Sequence, residues 1–427
     1  MQAKGLSLKV AQLTPPESPP PETVELVKQA ITTSFEPSSH EESQRLVGTT
    51  RFAPRRDINN ILITGGAGFI GSWVTRHMTV QYPEYNIICF DRLDYVSSMA
   101  NIDCLESFPN FHFVKGNLTD REIVAETLSK YNIDCVMHFA ANSHVQNSFL
   151  DPTSFTVNNV VGTQTLLDCV REHGRVARFV HVSTDEVYGE TTDDFVDETT
   201  QFLPTNPYSA SKAAAEMYVH AYAKSFGIPM VIVRSNNVYG PCQYPEKIIP
   251  RFFKLLSKNQ PLTLQGNGLH KRRYLYGADA ADGFDTILHK GVDGEAYNIG
   301  SAFGVTNLEV AIRMLELFGF DPRSDFKERL VWIPDRPHND LDYRVDGSKL
   351  ESLGWRQNTH FEDGLRATVE WYRKNIDVWW ADEPNKTVSA SSTNAAHIAA
   401  PVHHHQAPIK VKSENAQVTI TATEITA

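Results

Sequence analysis

Six short apolar runs recur along the first 235 residues: ILIT from 61, NIICFD from 86, FHFVKG from 111, CVMHFA from 135, RFVHVS from 178 and PMVIVRS from 229. Turn-forming residues bound each run, and longer amphipathic stretches separate them. Runs this short and near-continuously apolar predict strands buried on both faces, and the stretches between them predict covering helices. Their alternation predicts an α/β protein built on a doubly wound parallel sheet over residues 59–236. From 237 to 380 the regularity breaks. That predicts a smaller mixed α/β C-terminal domain capping the sheet, with some segments returning to it.

The two ends read differently. Residues 1–58 are rich in Pro, Ser, Glu and Thr, with TPPESPPPE at 14–22, and residues 384–427 are similar. Such compositions bury too little apolar surface to offset chain entropy, so both ends are expected to be disordered. His403–His405 lies in the second and reads as solvated low-complexity sequence rather than a metal site.

Composition narrows the class. The chain has 427 residues, 41% hydrophobic and 21% charged, which is ordinary globular material able to bury a sizeable core. A net charge of −11 with no basic block argues against nucleic acid as a partner. No apolar run approaches the roughly 20 residues of a membrane span, and the N-terminus lacks the pattern of a secretory signal. Cys89, Cys104, Cys135, Cys169 and Cys242 are scattered, with no Cys-x-x-Cys spacing. That pattern offers neither a zinc site nor a disulfide framework, and it suits a reducing, cytoplasmic setting.

ILITGGAGFIGSWVTRHM places Gly65, Gly68 and Gly71 between a strand and a helix. Glycine there permits a tight turn and close backbone approach to a pyrophosphate, which helix N-terminal amides then stabilise. The next strand ends in Asp91, 20 residues beyond Gly71. A carboxylate at that strand end accepts from ribose hydroxyls and repels a 2′-phosphate. The site is therefore Rossmann-type, and NAD is expected rather than NADP, with Arg92 the one opposing feature.

TNPYSASKAAAEMYVHAY carries Tyr208 and Lys212. Asn206 suits an N-cap and Pro207 a first helical position, so a helix is expected to start here. Spacing of four puts phenol and ammonium on one face, where the cation is expected to lower the pKa of Tyr208. HVSTDEVYGE, at 181–190, adds Thr184, Asp185 and Glu186 where an apolar strand ends.

Together these motifs resemble the extended short-chain dehydrogenase/reductase family over roughly residues 60–380. Within it the chain is similar to the nucleotide-sugar 4,6-dehydratases, through VSTDEVYG, TNPYSASKAAAE, NNVYGPCQYPEKIIPRF, YNIG and DRPHND in the same order. The resemblance implies that Tyr208, tuned by Lys212, removes the proton of the sugar 4-hydroxyl while C4 passes a hydride to NAD. Thr184 would hydrogen-bond the 4-oxygen, Glu186 would abstract the C5 proton, and Asp185 would protonate the departing 6-hydroxyl. Return of the hydride to C6 gives the 4-keto-6-deoxy sugar, the first step towards a deoxyhexose such as rhamnose.

The resemblance also implies binding positions. For NAD these include Phe69, Ile70, Leu93, Asp94, Asn117 and Leu118, with Phe139, Ala140, Ala141, Ser143 and Asn158 completing the set. For substrate they are Asn237, Lys247, Arg272, Arg336 and Asn339, with Ser143 and Thr184 shared. Asn117 stands where the family usually has Asp, Asn142 and Gln146 replace acidic residues, and Leu341 and Asp342 replace basic ones. That last change is expected to bear on diphosphate affinity or base selectivity. Tyr274 looks more like enzymes of UDP-glucose than of dTDP-glucose. His144 is expected to be a buried structural histidine. A homodimer through a helix pair is implied, using YSASKAAAEMYVHAYAKSF. Two rivals stand beside this reading. A 4-epimerase would use Tyr208 and Lys212 without needing two acids, and a non-catalytic NAD-binding protein would need none of them.

Overall fold

The computed structural model describes residues 46–380, so the expected disorder of 1–45 and of 384–427, with His403–His405, lies outside the described residues. Its centre is a seven-stranded, all-parallel sheet. The strands are β1 (Asn60–Thr64), β2 (Asn86–Asp91), β3 (Phe111–Lys115), β4 (Cys135–His138), β5 (Arg178–Val182), β6 (Met230–Ser235) and β7 (Ala296–Ile299). Their spatial order is β7-β6-β5-β4-β1-β2-β3.

Alternate residues of each strand feed two separate cores, which is why the runs are apolar throughout. Ile61, Ile63, Ile87, Met137, Val180 and Val231 pack on one face with Met78 and Phe284. Leu62, Ile88, Val136, Phe179 and Ile232 pack on the other with Leu128, Leu166 and Val219. The flanking helices include α1 (Phe69–Gln81), α2 (Gly162–His173), α3 (Pro207–Phe226) and α4 (Gly277–Lys290).

The C-terminal third contributes β7 and α4 to this sheet layer, then builds a second core around Phe252, Leu264, Met314, Phe361 and Tyr372. A three-stranded sheet of Asn237–Tyr239, Lys271–Tyr276 and Gly304–Thr306 belongs to that part.

Residues 46–58 depart from the expected disorder. Arg76 Nε of α1 donates to Leu46 O at 2.9 Å. The backbone N–H groups of Thr49 and Thr50 each donate to Asp282 Oδ1 of α4 at 2.8 Å. Phe52 N–H reaches the Tyr82 hydroxyl at 2.8 Å and Arg55 N–H the Tyr85 hydroxyl at 2.6 Å. The segment is a strap over α1 and α4, held mainly by its backbone amides. Composition counts apolar side chains and is blind to acceptors supplied by the rest of the fold, so it misses this order.

Candidate active site

Strand order reverses between β1 and β4, so the loops leaving their C-terminal ends part and open a crevice. A cavity of about 270 Å³ lies there, lined by Gly65, Gly68, Phe69, Ile70 and Gly71 of the glycine turn. Gly65 has φ +70°, and a Cβ on Gly71 would stand 2.1 Å from Gly65 O. Only glycine lets the turn close this tightly. Gly68 caps α1 with no side-chain acceptor, which leaves first-turn amides for an anion. This bare cradle fits a pyrophosphate.

Asp91, Asp94, Asn117 and Leu118 line the same cavity, as do Phe139, Ala140, Ala141, Ser143 and Asn158. Asp91 accepts from Ala67 N–H at 3.1 Å, Leu93 N–H at 2.8 Å and Ser97 Oγ at 3.0 Å, which fixes its carboxylate. Leu93 lines neither this cavity nor its neighbour. Its φ of +57° aims its amide at Asp91, while its side chain packs near Ala67 and Ile102. Arg92 donates to Asn158 Oδ1 at 2.8 Å and Asn142 Oδ1 at 3.0 Å, and pairs with Asp94. Its charge is therefore matched within the protein, and Asn142 has a defined acceptor role.

The expected reacting groups, Thr184, Asp185, Glu186, Tyr208 and Lys212, converge on this cavity. Asn206 caps α3 through Ser209 N–H with Pro207 behind it, as the sequence indicates, and this sets the helix start. Lys212 is buried, donates to Val182 O at 2.6 Å at the end of β5, and has its pKa pushed down to about 8 by burial. The tuning of Tyr208 differs from expectation. Burial first, then the charge of Glu186, raise the phenol's pKa, and hydrogen bonding by Thr184 only partly opposes them. Desolvation is the largest of these effects, and the ammonium bonds a backbone carbonyl.

Thr184 caps the short turn Asp185–Tyr188. Its hydroxyl donates to Asp185 Oδ1 at 3.0 Å, and Asn236 Nδ2 donates to Asp185 Oδ2 at 2.6 Å. Burial, then the neighbouring charge of Glu186, push Asp185 up to about 7. Glu186 is partly open and lines the cleft. Burial raises its pKa, while the bond from Asn206 Nδ2 at 3.1 Å and the charges of Arg272, Lys247 and Arg336 oppose the rise.

A second cavity of about 440 Å³ shares Ser143, Glu186, Asn237 and Lys247 with the first and adds Arg272, Arg336, Asn339 and Tyr274. Lys247 is held on Ser143 O at 2.9 Å, Arg272 on Asn339 Oδ1 at 2.9 Å and Arg336 on Gln265 Oε1 at 3.1 Å. Three cations resting on neutral acceptors suit a diphosphate. Asp342 points away, bonded to Arg273 at 3.2 Å and Arg344 at 3.0 Å, and Leu341 is exposed. Neither lines either of these two cavities. His144 is half-buried rather than buried, with Nδ1 3.8 Å from Glu246 across two loops.

Sequence reasoning took Asn206 only as a cap and passed over Asn236, yet each amide holds one of the two acids. The adjacent pair in SNNVYG was the available signal for the second.

Known proteins share much of this sequence. The trifunctional UDP-glucose 4,6-dehydratase/UDP-4-keto-6-deoxy-D-glucose 3,5-epimerase/UDP-4-keto-L-rhamnose-reductase of Arabidopsis thaliana is 48% identical over 326 residues, 76% of this chain and 48% of its own. This chain thus spans about half the length of that plant relative. The dTDP-D-glucose 4,6-dehydratase of Mus musculus is 43% identical over 320 residues, 75% of this chain and 90% of its own. The crystal structure of DesIV, the dTDP-glucose 4,6-dehydratase of Streptomyces venezuelae with NAD and TYD bound, matches with a TM-score of 0.71 at 39% identity. It covers 75% of this chain and 98% of that one. The family pattern described as GDP-mannose 4,6 dehydratase runs through residues 62–368, from the first strand past the last cleft residue, and the chain belongs to that family.

Proposed function

We propose that this protein is an NAD-dependent nucleotide-sugar 4,6-dehydratase acting on UDP-glucose or dTDP-glucose. The observation that carries the reading is the placement of two differently held acids, Asp185 and Glu186, in one cleft with Tyr208 and Lys212. NAD, held by the glycine turn and Asp91, would supply a hydride acceptor for C4 and a hydride donor for C6. Tyr208 exchanges a proton with the sugar 4-oxygen, beside the Thr184 hydroxyl. Glu186, favoured as a carboxylate by Arg272, Lys247 and Arg336, takes the C5 proton. Asp185, held near neutrality in pKa, gives its proton to the departing 6-hydroxyl.

A 4-epimerase has no use for this acid pair. Purified protein given UDP-glucose and dTDP-glucose separately should yield a product lighter by one water by mass spectrometry. Glu186→Gln should abolish that product. Turnover without change in mass, surviving in Glu186→Gln, would instead identify an epimerase. No turnover of any nucleotide sugar would point to a non-catalytic NAD-binding protein.

Of the two nucleotides we favour UDP-glucose, because Tyr274, which lines the substrate-side cavity, resembles the residue of UDP-glucose enzymes at this position. The two parallel assays compare them directly. We further infer a first step towards a deoxyhexose such as rhamnose, a homodimer through α3, and a cytoplasmic setting suited to five free cysteines. No helix among the described residues is long and apolar enough to cross a membrane.

A further inference from the structure

Asn236 directly follows β6 and is buried. Its side-chain oxygen accepts the backbone N–H of Ser301 at 2.8 Å, and its nitrogen donates to the backbone carbonyl of Tyr343 at 3.3 Å. A backbone N–H can only donate and a backbone carbonyl can only accept. Both ends of the carboxamide are therefore fixed by partners that do not titrate. The same nitrogen lies 2.6 Å from Asp185 Oδ2, so that oxygen faces a donor whatever the charge of the acid. Oδ1 instead faces Thr184 Oγ1 at 3.0 Å, a hydroxyl able to donate or accept.

We propose that Asn236 is a positioning residue that forces the acidic proton of Asp185 onto Oδ1, beside Thr184, and keeps Oδ2 an acceptor throughout the cycle. The proposal rests on the dehydratase reading and adds a proton route to it. In one turnover Glu186 takes the C5 proton and returns it to C5 as C6 is reduced. Asp185 gives its proton to the departing oxygen, forming water and leaving a carboxylate. Tyr208 holds the proton taken from the 4-oxygen. Before the next turnover Tyr208 releases one proton and Asp185 takes one up, and Thr184 Oγ1, 3.0 Å from Asp185 Oδ1, is the hydroxyl beside the oxygen that receives it. With Oδ2 occupied by Asn236, the proton arrives on Oδ1 and the acid is reset for the same direction of delivery. The other charged or titrating groups facing Asp185 are Glu186 on its own turn, Tyr208 on α3 and Arg272 on Lys271–Tyr276.

The test compares wild-type and Asn236→Leu protein, both supplied with NAD, in kcat and KM for the nucleotide sugar against pH. Loss of the donor should move the alkaline limb of kcat upward by about one pH unit, a roughly tenfold change in proton concentration. KM should stay within about threefold, because Asn236 holds the acid rather than the substrate. A drop in kcat with an unmoved limb, or a limb moved to lower pH, overturns the proposal and leaves Asn236 a packing residue. Neutron diffraction of wild-type crystals, kept acidic to the Asp185 pKa, covers the case in which the variant does not fold. Deuterium on Oδ1 supports the proposal, and deuterium on Oδ2 or a reversed Asn236 amide overturns it. A wild-type protein that removes no water at any pH would fail the dehydratase reading, while the neutron result would still decide the proton's position.

Discussion

Asp185 and Glu186 are neighbours in sequence that their surroundings drive apart. Asp185 is buried with amide and hydroxyl partners, whereas Glu186 opens onto a cleft ringed by Lys247, Arg272 and Arg336. The acid must hold its proton and the base must have lost its own. Activity should therefore fall as pH rises through about 7, where Asp185 ionises, and fall again on the acidic side as Glu186 takes up a proton. A kcat profile measured at saturating substrate should be bell-shaped, and one that stays level well above neutrality would contradict the role of Asp185. The identities of these groups were legible because STDE and YSASK are contiguous motifs. The state of Tyr208 was not, because its pKa depends on desolvation and on Glu186, which no local spacing reveals.

Elements carry the positioning. The glycine turn holds α1 against β1 so closely that Gly71→Ala would drive a methyl carbon into Gly65 O at 2.1 Å. That substitution should cost roughly 1–3 kcal/mol of stability and weaken NAD binding in a titration. Unchanged NAD affinity would detach the turn from the cofactor. Six strands could be read from sequence because each pairs an apolar run with clear turn residues. β7 was harder to see, since AYNI is four residues long and lies among the mixed elements of the C-terminal third. Helix α3 shows one residue serving two levels: Asn206 ends the loop by capping the helix and also holds Glu186, a contact that only the tertiary fold creates.

At the scale of the whole molecule, two surfaces make separate predictions. Met217, Tyr218 and Phe226 are exposed on α3, with Val157 and Val161 exposed just before α2, more apolar surface than isolated side chains need. Light scattering should find a dimer that Met217→Asp converts to a monomer, and a monomeric wild type would remove the basis for that interface. The strap makes the second prediction. Asp282→Ala deprives Thr49 and Thr50 of three bonds and should lower stability by about 1–3 kcal/mol in thermal unfolding. NAD affinity should be preserved, because Asp282 lies outside both cavities. The strap also imposes an order on synthesis. Thr49 and the carboxylate that fastens it are 233 residues apart, so the strap waits for a helix made much later. The final lashing of the sheet layer is thus a late event in the birth of the chain, however early its strands emerge.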